Sequence, residues 1–388
     1  MAAHQDRSVA MKFLYSHRTR AADGQWVHIS ALTGALTARG HEVALCGPDG
    51  GKPRKLDATS QRGISALLPA PIYECVEYGY SFPAYQRLAK AARAVAPDIF
   101  YERYNLFFHA GGWLKKKTGL PFMLEVNAPL VDERAAHGNL ALKHWARRSE
   151  AAIWRAADVV LPVTNVLADY IRAAGVPDDR IEVIQNGVDE SFLARHDPAL
   201  VRTRYGMGSK LVLGFTGFVR DWHGLDRAVR YIAASGRNDL CLFIVGDGPA
   251  RSALETLASE LGVSDRVIFT GVVQREEIAA HVASFDVALQ PAVVPYASPL
   301  KLFEYMAQGK AIVAPDGANI REVLTDGKDS LLFSEGAFEK ALTVLVEDET
   351  LRARLGAAAY NVLVANDYTW AGNARRVEVF AERLRKQS

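Results

Sequence analysis

The sequence predicts an α/β protein built from two parallel-sheet domains. Short apolar strands alternate with helix-length segments along nearly the whole chain, the order that builds parallel sheets. The 388 residues are long for one core. They suit two domains of about 180 residues each. A composition of 49% hydrophobic and 23% charged residues, with 30 glycines, is that of a folded soluble chain.

The formal charge is +2, and the compact basic run, Lys115, Lys116 and Lys117, reads as a solvated helix end, so nucleic acid is not an expected partner. Cys46, Cys75 and Cys241 have neither disulfide-framework nor metal-site spacing, which fits a reducing compartment. No apolar run reaches membrane-spanning length, and residues 1–10 lack the basic-then-apolar order of an export signal. A cytoplasmic location is expected, and a peripheral contact at the inner face of the membrane is left open.

The first domain is expected over residues 11–190. Met11–Ser16 is a strand, His17–Trp26 a polar loop and Val27–Arg39 a helix, followed by the strand Glu42–Cys46. That loop lies at the carboxyl edge of the sheet, where ligands bind. Gly24 would let its backbone approach an anion or a sugar, or it serves only the loop's own turn. A strand near Ile64–Leu68 and an aromatic loop over Pro69–Phe82 precede the helix Ala84–Val95. Tyr73, Tyr78, Tyr80 and Phe82 either anchor that loop or line an acceptor pocket.

Ile99–Tyr101 is a strand with Glu102 and Arg103 at its carboxyl end, Leu106–Lys117 a helix, and Pro121–Val126 a strand stopped by Asn127-Ala128-Pro129. Residues 125 and 127 share one strand face, so Glu125 and Asn127 reach the ligand edge together; otherwise Asn127 caps the next loop and Glu125 is surface. A long helical segment Glu133–Arg155, the strand Val159–Pro162, a helix capped by Thr164, a strand-like run Arg180–Asn186 and the turn Asn186-Gly187-Val188-Asp189 complete the domain.

The second domain is expected over 205–364. The strand Leu211–Phe215 leads through the loop Thr216–Gly224 to the helix Leu225–Ala234. In that loop Arg220 can clamp a diphosphate with its planar fork, and His223 can donate a hydrogen bond even when neutral. Next come the strand Asp239–Val245, a Gly246-Asp247-Gly248 turn, the helix Ala250–Leu261, the strand Val267–Phe269, the helix Arg275–Ser284 and the strand Val287–Leu289. In Pro295–Ala314, Ser298 and Pro299 are helix-start signals, Leu300, Phe303 and Met306 carry the helical spacing, and Gly309 precedes a strand. An anion suits that helix start, with Lys301 in its first turn and Glu304 one turn on; an ordinary cap fits as well. Helices at Phe338–Ala358 and Trp370–Leu384 follow, and the segment 365–388 is expected to pack back on the first domain. Without an Asp-x-Asp triplet or a zinc-spaced histidine pair, neutralising a leaving diphosphate falls to Arg220, Lys301 and backbone N–H groups.

Taken together, LGFTGFVRDWHG at 213–224, FIVGDGP at 243–249, RVIFTGVV at 266–273 and SPLKLFEYMAQGKAIVA at 298–314 resemble the retaining glycosyltransferases of family 4. GHEV at 40–43, PFMLEVNAPL at 121–130 and VIQNGVD at 183–189 extend the likeness through the first domain. The resemblance implies a GT-B fold, two Rossmann-like domains facing across a cleft, with the nucleotide-sugar donor on the second and the acceptor on the first. It implies ribose binding by Glu304, donor contacts from Ser298, Pro299, Leu300, Lys301 and Gly246, a backbone contact from Val272 to the base, and a closing loop at Gly24.

Three departures from the family pattern stand out. Tyr296 replaces the first glutamate of the family's pair, Phe218 and His223 replace phosphate-loop Arg and Lys with Arg220 as stand-in, and Asn127 replaces a site histidine. Asn cannot act as a base near neutrality, which turns attention to Glu125. Asn127, Glu125, Arg220 and Lys301 are thus the expected catalytic set, with Arg220 and His223 also on the donor. The expected activity is metal-independent transfer of a hexose-type sugar. Its donor is a nucleoside-diphosphate sugar, UDP or GDP, no cofactor is tightly bound, and the acceptor is a glycan, a lipid-linked sugar or a small molecule. A nucleotide-sugar epimerase of the same fold and a non-catalytic nucleotide-sugar-binding subunit are the competing expectations.

Overall fold

Short buried strands fix both sheets. The computed structural model describes residues 9–20, 24–51, 68–136, 138 and 140–387. Residues up to 185 together with those from 370 onward form one compact unit, and residues 186–369 form another.

The first unit runs β1 (Lys12–Ser16), α1 (Gly24–Ala38), β2 (Glu42–Cys46), α2 (Ala70–Gly79), α3 (Ser81–Val95), β3 (Ile99–Arg103), α4 (Ala110–Thr118), β4 (Phe122–Val126), α5 (Leu130–Ala136), α6 (Lys143–Ala156), β5 (Val159–Pro162) and α7 (Asn165–Ala173). Its five strands are parallel in the order β2-β1-β3-β4-β5. Helices cover both faces of such a sheet, so β3 and β4 are buried at every position, their charged residues included. The register sets Tyr15 beside Tyr101 and Arg103 beside Glu125, which gathers polar groups on one face near the carboxyl edge. Thr164 caps α7, its hydroxyl accepting from Leu167 N at 3.1 Å.

The second unit runs α8 (Ala199–Arg204), β6 (Leu211–Thr216), α9 (Leu225–Ala234), β7 (Leu240–Val245), α10 (Arg251–Glu260), β8 (Val267–Phe269), α11 (Arg275–Ala283), β9 (Val287–Leu289), α12 (Leu300–Ala307), β10 (Ala311–Pro315), α13 (Ala318–Arg321), β11 (Leu331–Phe333), α14 (Phe338–Glu347) and α15 (Glu349–Ala365). Its six parallel strands lie in the order β11-β10-β9-β6-β7-β8. Alternate residues of each strand feed two cores: Leu213, Phe215, Leu242 and Ile244 on one face, Val212, Cys241, Phe243 and Val245 on the other.

Finally α16 (Trp370–Gln387) returns to the first unit and packs against α1. Glu378 on α16 takes the ion pair of Arg39 and lies 3.2 Å from His41, while Asn373 donates to Gln185 O at 2.8 Å.

Five local expectations change. The helix expected over Phe338–Ala358 is two, α14 and α15, separated at Asp348, which caps α15. The aromatic loop over 69–82 is α2 and the start of α3, because α2 turns Glu74 and Glu77 inward and leaves Ile72 and Val76 about half exposed, the reverse of the usual apolar stripe. The helix expected from Leu106 begins at Ala110, since Phe107 adopts a left-handed φ of 61°. The long segment 133–155 is two helices, α5 and α6. The run 180–186 is no strand: it makes a single bridge, Val160 to Ile181, after a 3-10 turn at Asp178–Arg180. The strand expected near Ile64–Leu68 falls outside the described residues but for Leu68.

Candidate functional site

In the second unit the loops after β6 and β7 lie side by side at the carboxyl edge. They are joined backbone to backbone: Val219 N donates to Asp247 O at 2.9 Å and Ala250 N to Val219 O at 3.2 Å. The approach requires glycine, since a Cβ on Gly246 (φ 143°) would lie 2.1 Å from the Gly217 carbonyl oxygen. Gly246 N donates to Thr270 Oγ1 at 3.1 Å, which gives this glycine a packing task.

The joined loops place three cationic or donor groups together. Lys301, at the second position of α12, has its Nζ 4.0 Å from the Phe215 ring centre, and a Cβ on Gly217 would touch its stem. Burial pushes its amine down to about 7, with Glu304 pulling the other way. His223 packs on Phe215 at 5.1 Å, and burial, then Lys301, then Arg220 push it down to about 3, so it is neutral. Its Nδ1 accepts from Arg220 N at 3.3 Å, which leaves the proton on Nε2 as a donor. The Arg220 guanidinium is held between Phe218 at 4.7 Å and Trp222 at 4.8 Å, two rings that are themselves more than half exposed.

Glu304 is pinned from two sides. Thr216 Oγ1 donates to its Oε2 at 3.3 Å and Arg275 Nη1 to its Oε1 at 3.3 Å. Burial pushes its carboxyl up while Arg275 draws it down. Arg275 also holds Asp189, through Nη2 at 2.5 Å and Nε at 3.2 Å. Ser298 is fixed by Asn186, whose N donates to its Oγ at 3.2 Å and whose Nδ2 donates to its carbonyl at 2.6 Å. Pro299 stands at the start of α12 without a side-chain cap, Leu300 opens the helix, and Val272 is 83% exposed beyond β8.

In the first unit Glu125 is the hub. Oε2 accepts from Tyr15 at 3.2 Å and Tyr101 at 3.1 Å and lies 3.0 Å from His28 Nε2; Oε1 accepts from Asn127 Nδ2 at 2.5 Å and from Arg103. Burial raises its carboxyl, but the charges of His28 and Arg103 and the hydrogen bonds of His28 and Asn127 outweigh that and hold it well below the usual carboxylate range. The cavity beside it, lined by His28, Tyr101, Trp370 and Asn373 among others, measures about 10 Å³. That admits one water at most. Gly24 opens α1 with nothing within 4 Å of where a Cβ would stand.

The structure therefore brings Glu125 to Asn127, and Lys301 to His223 and Arg220, with Glu304 one helical turn from Lys301. Sequence reasoning passed over Arg275, Asp189, Thr216 and His28. Arg275 looks like an ordinary first residue of a helix, and its partners are 86 and 29 positions away. Asp189 carried a signal, its place in the VIQNGVD motif.

The model for Glycosyltransferase Family 4 matches residues 22–192, and that for Glycosyl transferases group 1 matches residues 210–348. The chain belongs to the GT-B fold glycosyltransferases of this family group. It is similar to the 2-deoxystreptamine glucosyltransferase of Streptomyces kanamyceticus, 34% identical over 59% of each chain. It is also similar to the GDP-mannose-dependent alpha-(1-6)-phosphatidylinositol monomannoside mannosyltransferase of Mycolicibacterium smegmatis, 31% identical over 55% of this chain and 58% of that one. These matches span about three fifths of the length of those relatives. Among solved structures, Anabaena HepE in complex with UDP and glucose shares the fold with a TM-score of 0.73 at 16% identity, covering 96% of this chain and all of the other. Among the described residues of this glycosyltransferase, no group of three His, Cys, Asp or Glu side chains is placed to hold a metal, and no helix is long and apolar enough to cross a membrane.

Proposed function

We propose that the chain is a retaining transferase that moves a sugar from a nucleoside-diphosphate sugar to an acceptor hydroxyl. The observation that carries this reading is the cluster of Lys301, neutral His223 and Arg220 at the carboxyl edge of the second sheet, beside a Glu304 held by Thr216 and Arg275. Such a cluster meets the charge that develops on a leaving diphosphate: the Lys301 ammonium and the Arg220 fork supply charge, and His223 Nε2–H supplies an oriented donor. Glu304 takes the ribose hydroxyls. Ser298, Pro299 and Leu300 present backbone to the phosphates, and Val272 presents backbone to the base.

In the front-face course that retention implies, the bond from anomeric carbon to diphosphate oxygen breaks and the bond to the acceptor oxygen forms on the same face. The acceptor proton passes to the departing diphosphate oxygen. Glu125, ionised and surrounded by donors, is too weak a base to share this step; its task is to orient Asn127, whose amide positions donor or acceptor. The relative named for GDP-mannose keeps guanosine beside uridine as the donor base. The relatives' names, which give 2-deoxystreptamine and phosphatidylinositol monomannoside, keep small molecules and lipid-linked acceptors open, the latter with a peripheral membrane contact.

A thermal-shift screen of nucleoside diphosphates and their sugars, followed by acceptor trials with the hit, tests the reading. Stabilisation by one nucleotide class that Lys301→Ala removes is expected. No stabilisation by any nucleotide would end it.

A further inference from the structure

Arg18 lies two residues beyond β1, at the carboxyl edge of the first sheet. Its guanidinium sits 4.8 Å from the ring centre of Tyr80 and 5.6 Å from that of Phe108. Both rings are placed by rigid parts of the fold. Tyr80 is the junction residue between α2 and α3. Phe108 follows the left-handed Phe107, a strained conformation for a bulky residue, in a loop that Ser81 ties down: its Oγ donates to Phe107 O at 2.9 Å and accepts from His109 N at 3.0 Å. An arginine stacked so is held in one orientation with its fork still to be used.

The surrounding charge does not balance it. Among the described residues no carboxylate comes within ion-pair distance of Arg18. The carboxylate that most raises its pKa, that of Glu77, is taken by Arg134 through two bonds of 2.7 Å each. Glu102, the other carboxyl that feels Arg18, is pushed up to about 8 by burial and is largely neutral. A second guanidinium, that of Arg87, lies 5.2 Å from the same Tyr80 ring and donates to its hydroxyl at 2.6 Å.

We infer that Arg18, assisted by Arg87, anchors a phosphate monoester on the acceptor, stacked against Tyr80 and Phe108. The inference rests on the reading of the first unit as the acceptor side. Two guanidinium groups about one ring match a group carrying about −1.5 to −2 charges at pH 7 better than a carboxylate or a phosphodiester, each with one. The cations expected to hold the donor diphosphate, Lys301 and Arg220, belong to the second unit.

The test titrates inorganic phosphate into the full chain by calorimetry, with and without saturating nucleoside diphosphate, and floats the protein with phosphatidylglycerol vesicles as the lipid arm. Phosphate should bind in both nucleotide states, and Arg18→Gln should weaken it by about tenfold or more, as loss of a charge-assisted bidentate contact does, while nucleotide affinity is unchanged. Arg18→Lys should fall between, and Arg87→Gln, at an exposed position, serves if Arg18→Gln does not fold. Unchanged phosphate binding in these variants, a loss of nucleotide affinity in Arg18→Gln, or vesicle binding in place of phosphate binding would each overturn the assignment. If no nucleotide binds the wild-type chain, the transferase reading fails and the nucleotide-free titration still decides this one.

Discussion

Asn127 donates its side-chain amide to Glu125 Oε1 at 2.5 Å, so Asn127 is held by a buried carboxylate that four other side chains also hold. The two parts of this arrangement should separate on mutation. Glu125→Gln leaves Arg103 buried without its counter-charge and should cost about 3–5 kcal/mol of stability, seen as a large drop in Tm. Asn127→Ala should leave Tm nearly unchanged while kcat falls by about tenfold to a hundredfold, the size of a lost positioning contact. An Asn127→Ala enzyme with normal kcat would remove Asn127 from the site.

The same carboxylate predicts an acid limit. The folded pKa of Glu125 is depressed below its ordinary 4.5, so its contribution is present above that value and is lost as pH falls towards the folded pKa. Denaturant midpoints of the wild type should therefore fall below about pH 4.5, and those of Glu125→Gln should fall less. Parallel curves for the two proteins would refute the linkage.

Lys301 predicts a basic limit on the donor. Burial holds its amine at about 7. A bound diphosphate raises it, so binding should take up a proton above that pH and weaken as pH rises. Calorimetry at pH 8 in two buffers of different ionisation heat reads the uptake directly, and Lys301→Ala should abolish it. Proton-neutral binding by the wild type would show that Lys301 stands away from the phosphates.

Two glycines make opposite predictions. Gly246→Ala drives a Cβ to 2.1 Å from Gly217 O at a backbone angle that favours glycine. About 3 kcal/mol of destabilisation is expected, the sum of strain and clash. At Gly24→Ala the added methyl meets nothing and α1 gains helix propensity, so stability should hold or rise by up to about 1 kcal/mol. A loss of kcat/KM in Gly24→Ala at unchanged Tm would place that backbone against substrate; unchanged kinetics would leave it a helix start only.

Arg275→Ala tests a residue that sequence reasoning passed over. It frees Glu304 and Asp189 together, so KM for the donor should rise by about tenfold or more while kcat changes little, since what is lost is the preset position of Glu304. An unchanged KM would show that Thr216 alone sets that carboxylate.

The second unit was the more legible in sequence. Strands Val267–Phe269 and Val287–Leu289 and the helix Leu225–Ala234 stand where the pattern puts them, because the strands are short apolar runs and the helix buries Leu225, Ala228, Val229 and Ile232 on one face, each with polar or turn residues at its ends. The helix from Leu300 and the carboxyl-edge placing of Arg220 and His223 were legible for the same reason. The first unit hid α2, because Glu74 bonds the amides of Ala141 and Leu142 and Glu77 pairs with Arg134, partners more than fifty residues away. Periodicity reads water against oil, and it misreads a helix whose inward face is ionic. Likewise nothing local to Phe107 announces a left-handed residue that delays α4, and nothing near His28 announces Glu125.

The passage of α16 back to the first unit has a consequence for biogenesis. Trp370, which packs edge-on against His28 at 4.8 Å, is translated only after the whole of residues 186–369. The five-donor seat of Glu125 therefore lacks one wall while most of the chain leaves the ribosome, and Asn127 gains its final orientation late. A nascent protein stalled before residue 370 carries the whole of the second unit and an unfinished first unit, a built-in delay between completing one sheet's surroundings and completing the other's.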